Sequence, residues 1–480
     1  MPSASRSQML VPLIVACGLF MENLDSTVLS TALPAIARSL DENPLHLNLA
    51  LTAYLFSLAV FIPSSGWVAD RFGARQVFRA AIVIFMLGSI LCGFSSSLPE
   101  LVLARAFQGL GGAMMVPVGR LVLLRSVPKS ELVRAMAYLT VPALIGPMVG
   151  PPVGGFITTY LSWRWIFWIN IPIGLLGILL VTLFIENVRE QRPPRFDWPG
   201  FVLSGLGLTG MIIGFETVAR GFLPTSLVAT LFAAGAFTLA LYIAYALRRP
   251  HPVLDISLLR IPTFRASVAG GFLFRIGIGA TPFLLPLMLQ LGFGLTPFQS
   301  GLTTFATAVG ALCMKTAATR VLRRFGFRRV LMVNGLVSAG FLAAYGLFEP
   351  STPRWAMLTV LIVSGFFRSL QFTSVNTLIY ADMPRERMSL ATSFASMQQQ
   401  LSLSVGVGAG ALLLNLTVMA RGDTHVAAGD FAPVFLALAL ISALSTLVFV
   451  PLPADAGAEV SGHRPRRTAT LPAADTQPGE

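Results

Sequence analysis

Gly66-Trp67-Val68-Ala69-Asp70-Arg71-Phe72-Gly73-Ala74-Arg75-Gln76-Val77-Phe78-Arg79 is a short basic stretch between two long apolar runs. A connection this short between segments of membrane length must be a loop at a bilayer surface. Its arginines hold it on the cytoplasmic side, because short cytoplasmic loops carry the excess of Lys and Arg. Asp70 can cap or pair with neighbouring helix ends. Charges concentrated in so short a loop point to a moving part, since a plain connector could be any polar sequence.

The whole chain agrees with a membrane setting. Of its 480 residues 55% are hydrophobic and only 11% charged, against about 25% charged in soluble domains. So much apolar surface requires lipid as part of the solvent. The net charge is +13, but the arginines sit in short loops between apolar runs, which argues against nucleic acid as a partner. Lys129 and Lys315 are the only lysines. Cys17, Cys92 and Cys313 form neither a disulfide framework nor a metal-ligand spacing, and His46, His251, His425 and His463 are scattered. No metal site and no cofactor are expected. The first apolar segment is too long for a signal-peptide core and carries Glu22 and Asp25, so it reads as a retained helix.

Apolar windows of about 20 residues, the length of a membrane-spanning helix, fall near 10–33, 47–69, 77–95, 99–124, 133–160, 164–186, 198–217, 225–247, 264–290, 299–321, 328–348, 355–381, 388–418 and 432–452, which predicts fourteen helices. Alternate loops carry the basic residues: Arg71, Arg75 and Arg79; Arg125, Lys129 and Arg134; Arg189, Arg192 and Arg195; Arg248, Arg249, Arg260 and Arg265; Arg320, Arg323, Arg324, Arg328 and Arg329; Arg385 and Arg387. The opposite loops hold Arg38, Arg164, Arg220, Arg354 and Arg421. This alternation predicts an even helix count with both termini in the cytoplasm. The stretch Arg71-Phe72-Gly73-Ala74-Arg75 recurs as Arg324-Phe325-Gly326-Phe327-Arg328, with Arg323 replacing Asp70 and Thr319 replacing Gly66. Duplicated halves around a midplane site mark secondary transporters. The expected organisation is a six-helix bundle over 1–186, a two-helix insertion with cytoplasmic linkers over 187–262, a second six-helix bundle over 263–452, and a disordered tail over 453–480.

On these residues the chain resembles the major facilitator superfamily, in particular its fourteen-helix drug:proton antiporter branch, over about residues 8–452. Gly66-x3-Asp70-Arg71-x-Gly73-x-Arg75 resembles the superfamily signature between helices 2 and 3, which implies a gating role for the loop. Leu24-Asp25-Ser26-Thr27-Val28-Leu29-Ser30-Thr31-Ala32-Leu33-Pro34 resembles the first-helix motif of that branch, with Ser30 where asparagine is usual. Leu101-x3-Arg105-x2-Gln108-Gly109-x-Gly111-Gly112-Ala113 is similar to the fourth-helix motif linked to proton coupling. Gly146-x3-Gly150-Pro151-x2-Gly154-Gly155, interleaved with Pro142, Pro147 and Pro152, resembles the antiporter motif of helix 5. Trp163-Arg164-Trp165-Ile166-Phe167-Trp168-Ile169-Asn170-Ile171-Pro172-Ile173-Gly174 matches the start of helix 6, where its aromatics suit an interface belt.

The residues also speak for themselves. An aspartate at mid-helix in lipid costs about 2.5–3.5 kcal/mol on insertion scales, so Asp25 is a candidate for reversible protonation. Glu22, one turn earlier, can join it or reach outward to the interface. Arg105 needs a partner, either Asp25 or backbone carbonyls. Paired glycines let helices approach closely, and clustered prolines bend a helix, so helix 5 is a candidate seal. In 264–452 the membrane core holds no acid, yet Arg275, Lys315 and Arg368 fall inside apolar helices, with Gln371, Asn376, Gln398, Gln399 and Gln400 nearby. Arg275 and Arg368, with Gln108, Gln371 and Asn376, are candidate cavity residues for an anionic or zwitterionic ligand, or pair with Glu22 and Asp25; Lys315 can reach outward to the interface. Pro282 and Pro286 should kink helix 9. No phosphate-binding loop and no enzyme motif is present. The expectation is a monomeric, proton-coupled exporter of small amphipathic compounds in the bacterial inner membrane. The alternatives are an exporter of an anionic metabolite or metal chelate, and an uncoupled facilitator.

Overall fold

The computed structural model describes residues 3–42, 47–186, 194–220, 224–422 and 426–463, and no strand occurs among them. Arg189 and Arg192, counted above among the loop charges, lie outside the described residues. The first bundle contains α1 (Ser3–Leu40), α2 (Asn48–Phe61), α3 (Ser65–Phe72), α4 (Ala74–Phe94), α5 (Leu98–Ser126), α6 (Leu132–Tyr160), the short α7 (Trp165–Trp168) and α8 (Asn170–Phe184). Two helices follow, α9 (Trp198–Arg220) and α10 (Thr225–Ala246). The second bundle contains α11 (Pro262–Leu287), α12 (Pro297–Tyr345), α13 (Arg354–Leu378), α14 (Met388–Ala420) and α15 (Phe431–Phe449), followed by the single turn α16 (Ala458–Ser461).

Among the described residues 12 helices are long and apolar enough to cross a membrane. The start signals are local. Glu100 in the first turn of α5 accepts from the backbone and hydroxyl of Ser96 at 2.8 and 2.9 Å. Thr296 and Gln299 form a capping box at the head of α12. The breaks are glycine-driven. Gly73 takes φ 93 between α3 and α4, and Gly326 takes φ 72 inside the 49-residue α12. A side chain is disfavoured in that region. The two copies of the Arg-Phe-Gly repeat therefore make the same backbone bend at equivalent places, although their flanking residues have diverged.

Inside the first bundle α6 lies against α1. A Cβ on Gly146 would sit 3.0 Å from the Asn23 Cβ, and one on Gly150 would sit 2.7 Å from the Thr27 Cβ. This contact pins the segment of α1 that carries Asp25. Between the halves, α9 is wedged against α2 and α14: Leu208 and Ile212 pack with Ala59, Met397 and Leu401. The outer face of α10 is exposed, with Phe237 at 66%, as suits a lipid-facing helix.

The end of the chain corrects one expectation. Residues 453–463, assigned above to a disordered tail, fold back under the basic end of the bundle. Leu452, Ala456 and Val460 are buried there with Phe327 and Leu378 in the main hydrophobic cluster. The Glu459 carboxylate lies 3.1 Å from Lys129 Nζ, and His463 Nδ1 lies 3.0 Å from the Arg323 carbonyl oxygen. Alanine- and proline-rich composition hid the three apolar anchors that order this stretch.

Overpacking a close helix contact costs about 1–3 kcal/mol. Gly150→Val should therefore lower the thermal unfolding midpoint of the solubilised protein by several degrees, while Gly155→Ala, at a position with open space around the new Cβ, should leave it unchanged. A scanning-fluorimetry comparison of the two variants checks this.

Candidate functional site

Asp25 is buried in the first bundle, surrounded by side chains from four helices. Arg105 Nη1 on α5 lies 2.5 Å from Asp25 Oδ2. Gln108 Nε2 donates to Asp25 Oδ1 at 3.0 Å, and Asn170 Nδ2 from α8 donates to the same oxygen at 2.9 Å. Both amides also donate to Ser89 Oγ on α4, at 2.7 and 3.1 Å. Arg105 Nη1 additionally donates to Gln108 Oε1 at 2.5 Å. The guanidinium carbon sits 4.4 Å from the centre of the Tyr54 ring on α2, a cation–π contact that adds to the ion pair. Arg105 Nε and Nη2 have no hydrogen-bond partner among the described residues. A buried charge whose partner is removed costs about 3–5 kcal/mol, so any change of charge at Asp25 must be felt at Arg105. Glu22, one turn back, is half-buried and within electrostatic reach of Asp25 and Arg120.

A second cluster closes the basic end of the molecule. Asp70 Oδ1 accepts from Arg125 Nη2 at 2.8 Å, where α5 ends. Ser389 Oγ at the head of α14 donates to Asp70 Oδ2. Ser65 and Ser393 hydroxyls meet at 2.8 Å across the same seam. A Cβ on Gly66 would lie 2.7 Å from the Ser389 carbonyl oxygen, so only glycine lets α3 and α14 approach this closely. Arg75 Nη2 donates to the Thr182 carbonyl in the last turn of α8 at 2.8 Å, a C-terminal cap of the kind basic side chains provide. Arg71 is exposed and forms no ion pair among the described residues. The loop thus ties one half to the other through Asp70 and Gly66, and to its own bundle through Arg75.

A family model described as the Major Facilitator Superfamily matches residues 15–407 and again 267–476. The chain belongs to the major facilitator superfamily. Among curated proteins it is 40% identical over 468 residues to the "Putative multidrug resistance protein MdtD" of Citrobacter koseri, covering 95% of this chain and 96% of the relative. It is 39% identical over 482 residues to the MdtD of Escherichia coli O6:H1, covering 98% and 99%. Two solved structures share the fold at low identity. The human organic anion transporter MFSD10 aligns with a TM-score of 0.68 and 15% identity over 94% of this chain and 100% of its own. The proton:xylose symporter XylE aligns at 0.65 and 16% over 95% and 99%.

Within this superfamily frame the other candidate residues separate. Arg275 on α11 is buried and donates to Gln398 Oε1 at 2.9 Å and Asn376 Oδ1 at 2.7 Å. It pairs with neither Asp25 nor Glu22. Arg368 lies elsewhere, lining a narrow cavity inside the second bundle with Tyr345 and Ser364. Gln371 is occupied within that bundle too, accepting from Asn334 and donating to the Leu331 carbonyl. Gln108 belongs to the Asp25 cluster. The predicted five-residue cavity is therefore divided among four places: Gln108 with Asp25, Arg275 with Asn376, Arg368 in its own cavity, and Gln371 with Asn334. In the helix 5 motif, Gly146 and Gly150 face α1, Gly154 is buried, and Gly155 faces open space; the side chain of Pro151 lies outside the described residues.

Sequence reading missed four groups. Asn170 sits in the Trp-rich stretch read as an interface anchor, two residues past Trp168 and inside an apolar run, which was the available signal. Ser89 and Tyr54 carry no motif and were invisible. Arg120 falls inside an apolar run on α5 and could have been found by the same rule that picked Arg105. It is buried, and its Nη2 donates to Gln399 Oε1 on α14 at 2.7 Å, a third contact across the halves.

In a variant whose only cysteine is Ser393→Cys, adding Asp70→Asn should raise the rate of maleimide labelling at 393 several-fold by loosening the seam. Unchanged labelling would show that Asp70 does not hold it.

Proposed function

We propose that the chain is a proton-coupled exporter that exchanges protons for small amphipathic compounds, including drugs, across the bacterial cytoplasmic membrane. The observation that carries this reading is the burial of Asp25 against Arg105, Gln108 and Asn170 at the depth of the membrane. Protonation of Asp25 would remove the counter-charge of Arg105. Release of the guanidinium would change how α1, α4, α5 and α8 fit together, and those helices form the wall of one half. Proton binding would then bias the rocking of the two halves, the motion on which transporters built from repeats rely. The multidrug resistance assignment carried in the relatives' names supports the choice of substrate class.

The reading includes fourteen spans with both termini cytoplasmic. Two features support the count. The 29-residue α6 runs between two candidate spans, and α12, at 49 residues, is twice the length a bilayer needs and is broken at Gly326. On this topology the Asp70 seam is the cytoplasmic gate, and the arrangement described is closed to the cytoplasm. One inward proton at 100 mV supplies about 2.3 kcal/mol, roughly a fiftyfold gradient of exported compound.

A second reading has its own observation. Arg120 and Arg275 interact electrostatically across the halves, and their bonds go to neutral amides. Lys315 Nζ likewise bonds the Thr373 hydroxyl at 2.8 Å. Two buried arginines and a partly buried lysine, none of them in an ion pair with a carboxylate among the described residues, favour a substrate with an anionic group.

Asp25→Asn should fold, judged by a monodisperse elution profile, and should lose efflux driven by a pH gradient in proteoliposomes. Wild-type proton-driven efflux in this variant defeats the coupling role. Running the assay with cationic dyes beside organic anions decides between the two substrate classes, because Arg275→Gln should reduce transport of anions only.

A further inference from the structure

A cavity of about 470 Å³ opens where the Gly326 bend of α12 meets the returning C-terminal segment, and it belongs to neither the Asp25 cluster nor the Asp70 seam. Arg324, Arg328, Arg329 and His463 supply its polar walls, and Met332 and Val333 its apolar side. Among the described residues none of the three arginines pairs with a carboxylate. The Arg324 guanidinium lies 5.6 Å from the Phe325 ring centre. Arg328 and Arg329 occupy the first turn after the bend, the end of a helix where the dipole favours negative charge. Two cations there oppose the helix dipole, and an anion beside them would relieve that opposition. The apolar side continues onto Val333 and Leu336, exposed at 56% and 55% within a membrane-length helix.

We propose that this cavity binds the headgroup of an anionic phospholipid. The arginines would take the phosphate in charge-assisted, bidentate hydrogen bonds, and the acyl chains would run along Val333 and Leu336. Charge and apolar surface lie in the order a phospholipid presents them, which a free phosphate in water would not require. The site is built by both the bend and the C-terminal segment: His463 packs over Gly326, where an added Cβ would lie 2.8 Å from its ring. A bound lipid would hold that segment against the bundle, next to the Lys129–Glu459 bridge between the halves.

Native mass spectrometry of the full-length protein, titrated with phosphatidylglycerol or phosphatidylcholine, tests this. Wild type should retain phosphatidylglycerol well above phosphatidylcholine. Arg328→Gln/Arg329→Gln should weaken phosphatidylglycerol binding roughly thirtyfold, from the usual contribution of each basic residue near an anionic headgroup. Arg248→Gln/Arg249→Gln, which removes the same charge from another part of the basic face, should not. Equal losses in the two double variants would mean diffuse surface attraction and overturn the proposal. So would undiminished binding in the first variant, or displacement of the lipid by millimolar inorganic phosphate. Scanning fluorimetry of each variant without lipid separates weakened binding from misfolding.

Discussion

Everything in the first bundle is organised around one ion pair held out of water. Asp25 and Arg105 meet at 2.5 Å with essentially no solvent exposure. In such surroundings, removing either charge leaves the other uncompensated, at a cost of about 3–5 kcal/mol. The neighbours answer that constraint: Gln108 and Asn170 fill the second carboxylate oxygen, Ser89 orients both amides, and the Tyr54 ring lies under the guanidinium. Five helices, α1, α2, α4, α5 and α8, are thereby committed to one polar knot, and the apolar packing outside it is free to be generic.

The two halves meet through a different kind of contact. At the basic end, Ser65 touches Ser393, Asp70 touches Ser389, and Arg120 touches Gln399. These three are single hydrogen bonds: one between neutral hydroxyls, one to the Asp70 carboxylate and one from the Arg120 guanidinium. The neutral pair contributes about 0.5–1.5 kcal/mol net and each bond to a charged group about 1.5–3, so the seam rests on a few modest contacts. The glycine at 66 matters because backbone contact, rather than side-chain interlock, sets the distance. The α9 helix adds an apolar wedge between α2 and α14.

The contrast between bundles is electrostatic. The first contains the acid–base pair. The second holds Arg275 and Lys315 with neutral partners, so it presents positive potential toward the seam without internal compensation. That imbalance is shared by the Arg275 amide shell and the basic cavity at the Gly326 bend, neither of which includes a carboxylate among the described residues.

Much of this was legible in the sequence. Apolar windows pointed to the all-helical membrane fold, because lipid demands long, internally hydrogen-bonded segments and leaves little choice of architecture, and the recurrence of Arg71-Phe72-Gly73 as Arg324-Phe325-Gly326 pointed to the internal repeat. Asp25, Arg105 and Asp70 stood out for the same reason, since a charge inside or between such segments needs a purpose. The sequence could not say which neutral side chains would gather around them. Asn170, Ser89 and Tyr54 are ordinary residues until helix packing brings α2, α4 and α8 together. Nor could it divide Arg275, Arg368 and Gln371 among separate sites, or fold residues 453–463 back beneath the bundle. Hydropathy along a chain records the depth of each residue in the membrane; the face it turns and the neighbour it meets depend on how helices rotate against one another, and only tertiary packing decides that.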